Sequence, residues 1–337
     1  MMQKDTVSAP NAGNVDGDAP TRCPICRDAA DYDYSGRDLM FDRRRRHDYY
    51  LCRSCQCVFQ HPMPDAQTIA TFYPQTYSVY DEESRTRVIS PTRIALLKRL
   101  RGYTHLRPTL PRRLWAALSA PWQKIGTPAW QGGGRLLDVG CGNGRFLTSM
   151  RSLGWDVHGV EISEDGMKAC RQSDLPVHHG DLFSAAYTDA SFDLVTVRHV
   201  IEHVPDPLTF VAELARVLRP GGRLVIETPN SQALGRQWFA TYWYANDVPR
   251  HLFLFSPSNL ERLGAGAGLV MCAMTMDTTP KIFLNSLDYT TRNQGKLSKR
   301  MRWRRFLARA YVWQAQRRNR GDTLQMTFVK PALTSPA

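Results

Sequence analysis

Three glycines lie two residues apart in the segment DVGCGNGRF, at Gly140, Gly142 and Gly144. A glycine-rich turn after an apolar strand can hold a triphosphate, a dinucleotide or the adenosyl end of a methyl donor. The segment lacks the Gly-Lys-Ser/Thr ending of a triphosphate loop, and Arg145 stands where a dinucleotide fingerprint needs its third glycine. The remaining pattern favours an adenosine joined to an amino acid, whose ammonium group Asp138 would attract.

Two pairs of cysteines have the spacing of metal ligands. The segment CPIC contains Cys23 and Cys26, the segment CRSC contains Cys52 and Cys55, and 25 residues separate the pairs. Two such knuckles complete the tetrahedral thiolate site of structural zinc, which leaves no open position for chemistry. Cys57 is a fifth candidate ligand. Buried cysteines without a chemical role are expected at the other positions: Cys141, Cys170 and Cys272.

Two clusters of polar residues could support catalysis. In WYANDVPRHLFLFSP we expect His251 to act as a general base in preference to His203, with Asp247 orienting it. The alternative is that the histidine has no catalytic role and only braces the surrounding loop. The trio His199, Glu202 and His203 in RHVIEHVPDP could instead hold a divalent cation, although such spacing is usually a matter of packing.

Alternating strands and helices must position these residues. The predicted strands are RLLDV, DVHGVEIS, PVHHGDL, FDLVTVRHV, RLVIETPN, GLVMCAMTM and TLQMTFVKP. The first five alternate with helical segments, which indicates a parallel sheet covered on both faces, with ligands beyond the carboxyl ends of its strands. The helix PLTFVAELARVLRPGG is predicted to end at its Pro-Gly-Gly and to bury one face: Leu208, Val211, Ala212, Ala215 and Leu218.

Composition divides the 337 residues into unequal parts. Residues 1–20 are predicted to be disordered, 21–62 to form the zinc module, and 63–130 to be a helical linker region. Residues 131–332 form the catalytic domain, with an aromatic lid at 230–256 and a basic helical insertion at 280–320. The lid aromatics suit a sugar ring or a planar acceptor as well as they suit a hydrophobic lid core.

The net charge of +13 is concentrated in one region. Residues 281–320 contain twelve Lys or Arg and one acidic residue, Asp288. Such a region attracts nucleic acid, an anionic membrane or a phosphorylated substrate. Basic and apolar residues alternate at helical spacing in 297–320, which predicts either peripheral membrane contact or a helix packed on its own domain. With no signal or membrane-spanning segment visible, we expect a cytoplasmic protein, with contact at the inner membrane face.

From Arg135 to Lys330 the sequence resembles the class I S-adenosylmethionine-dependent methyltransferases. DVGCGNG, GVEIS, GDLF and RVLRPGGRLVIETPN follow one another in that family's order. The resemblance implies a Rossmann-like seven-stranded sheet and donor contacts from the glycine turn, from Glu161 to the ribose and from Asp181 to the adenine. The full set of residues that it places at the donor is Asp138, Gly140, Cys141, Gly142, Gly144, Glu161, Ile162, Asp181, Leu182, Arg198 and His199.

The zinc knuckles, HPMPDAQTIATFYPQTY and DVPRHLFLFSPSNLERL together resemble zinc-knuckle methyltransferases of polysaccharide and deoxysugar biosynthesis. The resemblance implies O-methylation of a small hydroxylated acceptor, such as a nucleotide-linked or lipid-linked sugar. Four alternatives remain open: a quinone-type O-methyltransferase at the membrane, an RNA methyltransferase, a sugar C-methyltransferase and a non-catalytic scaffold that binds the donor. The strand-four exit lacks an Asn/Asp-Pro-Pro-aromatic motif, so amine methylation is less favoured.

Overall fold

A seven-stranded mixed sheet forms the centre of the protein. The computed structural model describes residues 21–73, 89–122, 125–291 and 302–332. In spatial order the strands are β10 (Val270–Asp277), β11 (Thr323–Val329), β8 (Leu218–Pro229), β7 (Phe192–Arg198), β4 (Arg135–Val139), β5 (Asp156–Glu161) and β6 (Val177–His179). Strands β4 to β8 are parallel, and β11 runs antiparallel to both of its neighbours. The predicted seven-stranded Rossmann-like sheet is therefore confirmed.

Ten helices pack around the sheets of the described residues. They are α1 (Ala66–Thr71), α2 (Pro91–Leu100), α3 (Leu110–Ser119), α4 (Arg145–Arg151), α5 (Glu164–Gln172), α6 (Pro207–Val217), α7 (Leu234–Phe239), α8 (Pro257–Gly266), α9 (Pro280–Thr291) and α10 (Arg302–Arg317). Strand β7 is buried along almost its whole length, as expected for a parallel strand covered on both faces. Because the parallel strands end at one edge, the loops that follow them share that edge.

The prediction for α6 was partly wrong. Leu218 belongs to β8, which begins before the Pro-Gly-Gly sequence rather than after it. Leu208 and Ala212 are exposed, and of the predicted face only Val211 and Ala215 are buried within the helix. Pro207, capped by Asp206, starts the helix and fixes its rotation. The buried face is Pro207, Phe210, Val211, Leu214, Ala215 and Val217.

A second, four-stranded sheet joins the N-terminal module to the lid. Its order is β1 (Ala30–Arg37), β2 (Arg46–Cys52), β3 (Val58–Gln60) and β9 (Phe253–Leu254). The first three strands come from the module, whereas β9 comes from the lid. Val58 pairs with Leu254, and Phe59 pairs with Phe253. The module and the lid therefore share one hydrogen-bonded sheet.

Helices α9 and α10 lie between β10 and β11 in the chain, and a buried carboxylate ties α10 to the rest of the domain. Asp322 accepts hydrogen bonds from Trp243 Nε1 at 2.8 Å, from the Tyr311 hydroxyl at 2.7 Å and from Thr278. Trp243 belongs to the lid, Tyr311 to α10, and Thr278 follows β10. This one side chain thus connects the lid, the helical insertion and the end of the sheet. The residues 1–20, predicted to be disordered, lie outside the described part of the chain.

Candidate functional site

The glycine turn joins β4 to α4 and has a backbone that only glycine adopts without strain. Gly140, Gly142 and Gly144 have φ values of 70°, 58° and 72°. A Cβ atom on Gly140 would lie 2.3 Å from Val200, and one on Gly144 would lie 2.3 Å from Leu175. The turn is therefore tightly enclosed, and its backbone can approach a ligand where side chains would obstruct it.

Two buried carboxylates lie next to this turn, and one of them, Glu161, braces it directly. Glu161, at the end of β5, accepts hydrogen bonds from the Gly142 amide at 2.7 Å and the Ser163 amide at 2.8 Å. Asp138, at the end of β4, accepts from the Thr196 hydroxyl at 2.6 Å and from Arg198 at 2.9 Å. Burial raises the pKa of Asp138, with Arg198 and Thr196 opposing the shift. Asp138, predicted to attract an ammonium group, thus already pairs with a guanidinium group.

The next two strand ends expose apolar surface suited to a planar ring. Ile162 follows β5 and Phe183 follows β6, and both side chains are exposed. Asp181 accepts a hydrogen bond from the Ser184 amide at 2.7 Å, which lowers the pKa of its carboxyl group. The side chain of Leu182, which was predicted to lie at the donor, is buried in the core, so only its backbone could contact a ligand. The exposed side chain at this strand end is that of Phe183, and no local pattern distinguishes the two residues.

The exit of β7 carries an ion-pair network. His199 has a φ of 54°, and its Nδ1 and Nε2 atoms lie 3.2 Å from Glu202 and 3.4 Å from Glu227. Burial opposes protonation, but the two carboxylates raise the pKa of His199 to about 10. Burial likewise opposes ionisation of Glu202, yet His199 lowers the pKa of that carboxyl to about 2. Glu202 also accepts from the Thr228 hydroxyl at 2.9 Å. Sequence reasoning missed Glu227 and Thr228, because they lie on a different strand.

His251 lies in the lid beside this network. Its Nδ1 atom lies 2.9 Å from the Ala245 carbonyl oxygen, so Nδ1 carries the proton and Nε2 is the basic nitrogen. Nε2 faces Glu202 at 4.0 Å and Asp247 at 3.8 Å. Burial, reinforced by the charge of His203, lowers the pKa of His251 to about 4 despite the two carboxylates. The imidazole is therefore neutral at neutral pH.

Two of the predicted catalytic side chains have other partners. The ring-orienting hydrogen bond of His251 goes to a carbonyl, not to Asp247 as predicted, because Asp247 binds Arg250 at 2.6 Å. Burial would raise the pKa of Asp247, but His251 and Arg250 lower it. His203 Nδ1 lies 2.9 Å from the Arg250 carbonyl oxygen and 3.1 Å from the Tyr73 hydroxyl. Tyr73 was not foreseen, since nothing in its local sequence marks it.

Two groups of side chains in the described residues have metal-binding geometry. Ligand atoms of Glu202, His203 and His251 lie within 4.8 Å of one another. In this trio His251 takes the place of the predicted His199, whose two ring nitrogens face Glu202 and Glu227. The second group is the predicted cysteine cluster, also within 4.8 Å: Cys23, Cys26, Cys52 and Cys55.

The cysteine cluster fits a tetrahedral metal. The Sγ atoms of Cys23 and Cys55 are 3.7 Å apart, and those of Cys26 and Cys52 are 3.3 Å apart. A tetrahedron with metal–sulfur bonds of about 2.3 Å has sulfur–sulfur edges of about 3.8 Å. The Cys55 amide donates to Cys52 Sγ at 3.4 Å, which orients a thiolate inward. Cys57 lies outside the group of four and faces the Val58 carbonyl instead.

Comparison with known proteins identifies the family of the chain. The sequence profile of a family described as "Methyltransferase domain" matches residues 103–273, half of the chain. The "Ubiquinone biosynthesis O-methyltransferase" of Thiobacillus denitrificans is 30% identical over 183 residues, which are 47% of this chain and 75% of that protein. The protein of the same name from Aromatoleum aromaticum is 37% identical over 156 residues, or 41% of this chain and 64% of that one.

Among solved structures, the chain is similar to a SAM-dependent methyltransferase from Archaeoglobus fulgidus. The TM-score of the two is 0.44 and their sequence identity is 20%, over 65% of this chain and 94% of that one. The family match, together with the glycine turn and the strand order, decides the class. The chain belongs to the Methyltransferase domain family and is a class I S-adenosylmethionine-dependent methyltransferase.

Proposed function

We propose that the protein methylates a hydroxyl oxygen of a small acceptor, and that the acceptor is a phenol of the quinone-precursor class. The observation that carries this proposal is His251, whose neutral Nε2 faces two carboxylates beside the exit of β7. A hydroxyl nucleophile needs a base to take its proton as it attacks, whereas a neutral amine attacks through its lone pair and loses its proton afterwards. The names of the relatives support a phenolic acceptor over the glycosyl acceptor expected from the sequence.

The donor site in this proposal is the edge formed by the glycine turn and the ends of β5 and β6. S-adenosylmethionine, when bound, supplies a methyl group on a sulfonium sulfur. The backbone of the turn and Glu161 would hold its amino-acid and ribose parts, and Ile162 and Phe183 would flank its adenine. Asp138 would act through Arg198, whose guanidinium lies 3.9 Å from the ring centre of Phe146.

His251 would take the proton as the acceptor oxygen attacks. The acceptor oxygen would bond to the methyl carbon as the carbon–sulfur bond breaks, so the bound donor would supply the methyl group and depart as S-adenosylhomocysteine. The proton of the hydroxyl moves to Nε2 of His251, and the imidazolium that forms is stabilised by Glu202 and Asp247. Ala245 keeps the ring in the tautomer that exposes Nε2.

The acceptor can be tested by label transfer. Methyl-labelled S-adenosylmethionine is incubated separately with a catechol carrying a short prenyl chain, with a nucleoside-diphosphate hexose and with a structured RNA, and products are measured by mass spectrometry. We expect label on a phenolic oxygen, and a loss of roughly 10²–10⁴-fold in kcat for His251→Ala with donor affinity unchanged. His61→Ala, an exposed histidine of the N-terminal module, is the matched control.

Label on the hexose alone would restore the glycosyl acceptor, and label on RNA would replace both. Unchanged turnover in His251→Ala would remove the base role. Donor binding without transfer to any of the three acceptors would support the scaffold hypothesis.

We also infer that the four thiolates of the N-terminal module hold structural zinc. The sulfur spacing supports this, and so does the position of the knuckles under the lid. Ser256 and Ser258 both donate hydrogen bonds to the Cys55 carbonyl, at 3.0 and 3.2 Å. Loss of the metal would therefore loosen the lid segment that follows His251.

Helix α10 supports a reaction at a membrane surface. Phe306 and Trp313 are exposed on the side opposite to the buried Ala308 and Tyr311, and Arg309 is exposed beside them. We propose that the basic segment 297–320 contacts anionic lipid. Residues 297–301 of this segment lie outside the described residues. In the described part of the chain, no helix is long and apolar enough to cross a membrane.

A further inference from the structure

Helix α3 turns its apolar side toward solvent. Leu110, Leu114 and Leu118 recur every four residues, so they form one stripe along the helix. Their exposed fractions are 66%, 60% and 76%, and Trp115 beside them is also exposed. The only buried residue of the helix is Ala116. A helix of a globular domain normally buries its leucines and exposes its small residues, so this orientation is inverted.

Packing within the described chain does not account for the exposed leucines. Helix α3 contacts α2, and Ala116 belongs to the hydrophobic cluster that contains Leu97 and Tyr103. That contact lies on the side opposite to the leucine stripe, since Ala116 is half a turn from both Leu114 and Leu118. The stripe therefore has no partner among the residues that the structure describes.

The charge around α3 indicates what would cover it. Arg112 and Arg113 are exposed on the helix itself, and Arg107 and Arg99 are exposed just before it. Residues 89–137 contain no Asp or Glu. Arg113 flanks the leucine stripe, and Arg112 lies on the opposite, polar side of the helix. Arginine side chains in these positions can reach phosphate groups while the stripe enters the apolar layer below.

We propose that α3 lies in the interface of an anionic lipid surface, with Leu110, Leu114 and Leu118 entering the acyl region. A second copy of the chain fits this face less well. Two-fold pairing along the stripe would bring the Arg113 groups, which flank it, of both copies together without any acidic residue of α3 to balance them. The inference adds a lipid contact at α3 to the one proposed for α10, and it does not rest on the proposed acceptor, because vesicle binding is measured without an acceptor.

The test is flotation of the full-length protein with vesicles of phosphatidylcholine alone and of phosphatidylcholine mixed with phosphatidylglycerol. We expect binding to the anionic vesicles, weakened by added salt. Leu114→Glu should reduce this binding at least about tenfold, since it places a charge in the acyl region. Val270→Glu makes the same change at a strand residue that is 54% exposed and should bind like wild type. Donor titration confirms that both variants are folded.

Phe306→Glu separates this surface from α10. If Phe306→Glu loses vesicle binding while Leu114→Glu binds fully, the assignment to α3 is overturned. Absence of vesicle binding by the wild type would overturn it as well. Light scattering tests whether a second copy of the chain, rather than lipid, covers α3. If the wild type is a dimer that Leu114→Glu converts to a monomer without a change in vesicle binding, α3 is a protein contact and the proposal is wrong.

Discussion

His251, the proposed base, is kept neutral by its surroundings, and the proposal therefore predicts the pH range of catalysis. Burial and the neighbouring His203 lower its pKa to about 4, although two carboxylates oppose the shift. In an unfolded chain the same imidazole would titrate near 6.5. The folded state therefore binds fewer protons than the unfolded state between these values, and its stability falls as pH falls through that window.

The first prediction is an acid limb of kcat with a midpoint near pH 4. Turnover should stay level from neutral pH down through 6.5, because the basic form of His251 persists over that range. The measurement is kcat at saturating donor and acceptor, with circular dichroism followed in parallel to separate titration from acid unfolding. A midpoint near 6.5 in a folded protein would show that the imidazole is solvated and that the described surroundings are wrong.

The second prediction concerns Glu161, which braces the glycine turn. Glu161→Ala leaves the buried Gly142 amide without its partner, which costs about 1–3 kcal/mol and should weaken donor binding roughly 5- to 150-fold. Glu164→Ala removes an exposed carboxylate three residues later and is the matched control. Calorimetric titration with S-adenosylmethionine measures both. Equal affinities in the two variants would contradict a donor role for Glu161.

Local sequence was enough to identify the residues of the donor turn but not their partners. The three glycines and Glu161 follow from a short motif, because a turn is decided by neighbours in the chain. The Arg198 partner of Asp138 lies on another strand, and the Ala245 carbonyl that orients His251 is a backbone group. Contacts of this kind depend on tertiary structure, which a motif does not encode.

At the scale of elements, the N-terminal module holds the backbone that carries His251, the proposed base, just before β9. The Tyr49 hydroxyl donates to the His251 backbone carbonyl at 2.9 Å, and the backbone N–H of Gln60 donates to the Leu252 carbonyl at 2.8 Å. The alternation of strands and helices predicted the large sheet. It could not predict β9, because two residues carry no periodic signal and their pairing partner lies in a different module.

The third prediction is that zinc loss affects transfer more than donor binding. Cys26→Ser, or chelation, should release the metal, loosen β3 and β9, and lower kcat, while donor affinity is kept because the glycine turn lies on the other sheet. Cys57→Ala is the control, since Cys57 lies outside the group of four. Metal content, kcat and donor affinity are measured together. Full activity in metal-free protein would refute the coupling.

At the scale of the whole molecule, a buried ion triad connects the module to the lid. The Arg250 side chain is fully buried and binds Asp38 at 2.9 Å and Asp247 at 2.6 Å. The two carboxylates raise the pKa of Arg250 against the effect of burial. The module and the catalytic domain also share one hydrophobic cluster, which contains both Cys52 and Leu252. The two parts should therefore unfold together.

The fourth prediction compares two aspartates of the module. Asp38→Ala leaves the buried Arg250 with one partner fewer and should destabilise the protein by about 3–5 kcal/mol. Asp31→Ala breaks an exposed pair with Arg53 and should change stability little. Denaturant unfolding, followed by both tryptophan fluorescence and zinc release, provides the measurement. Similar midpoints for the two variants would show that the triad contributes nothing, and separate transitions for the two signals would show independent unfolding.

The shared sheet also sets an order of events during synthesis on the ribosome. Strand β3 ends at Gln60, but its neighbour β9 is made only when the chain reaches Phe253. Until then one edge of the N-terminal sheet has no partner, and an open edge invites pairing with other chains. The module is thus translated well before the strand that completes its sheet. A nascent chain on a ribosome stalled before residue 253 would keep the edge of β3 unpaired and would be prone to aggregate.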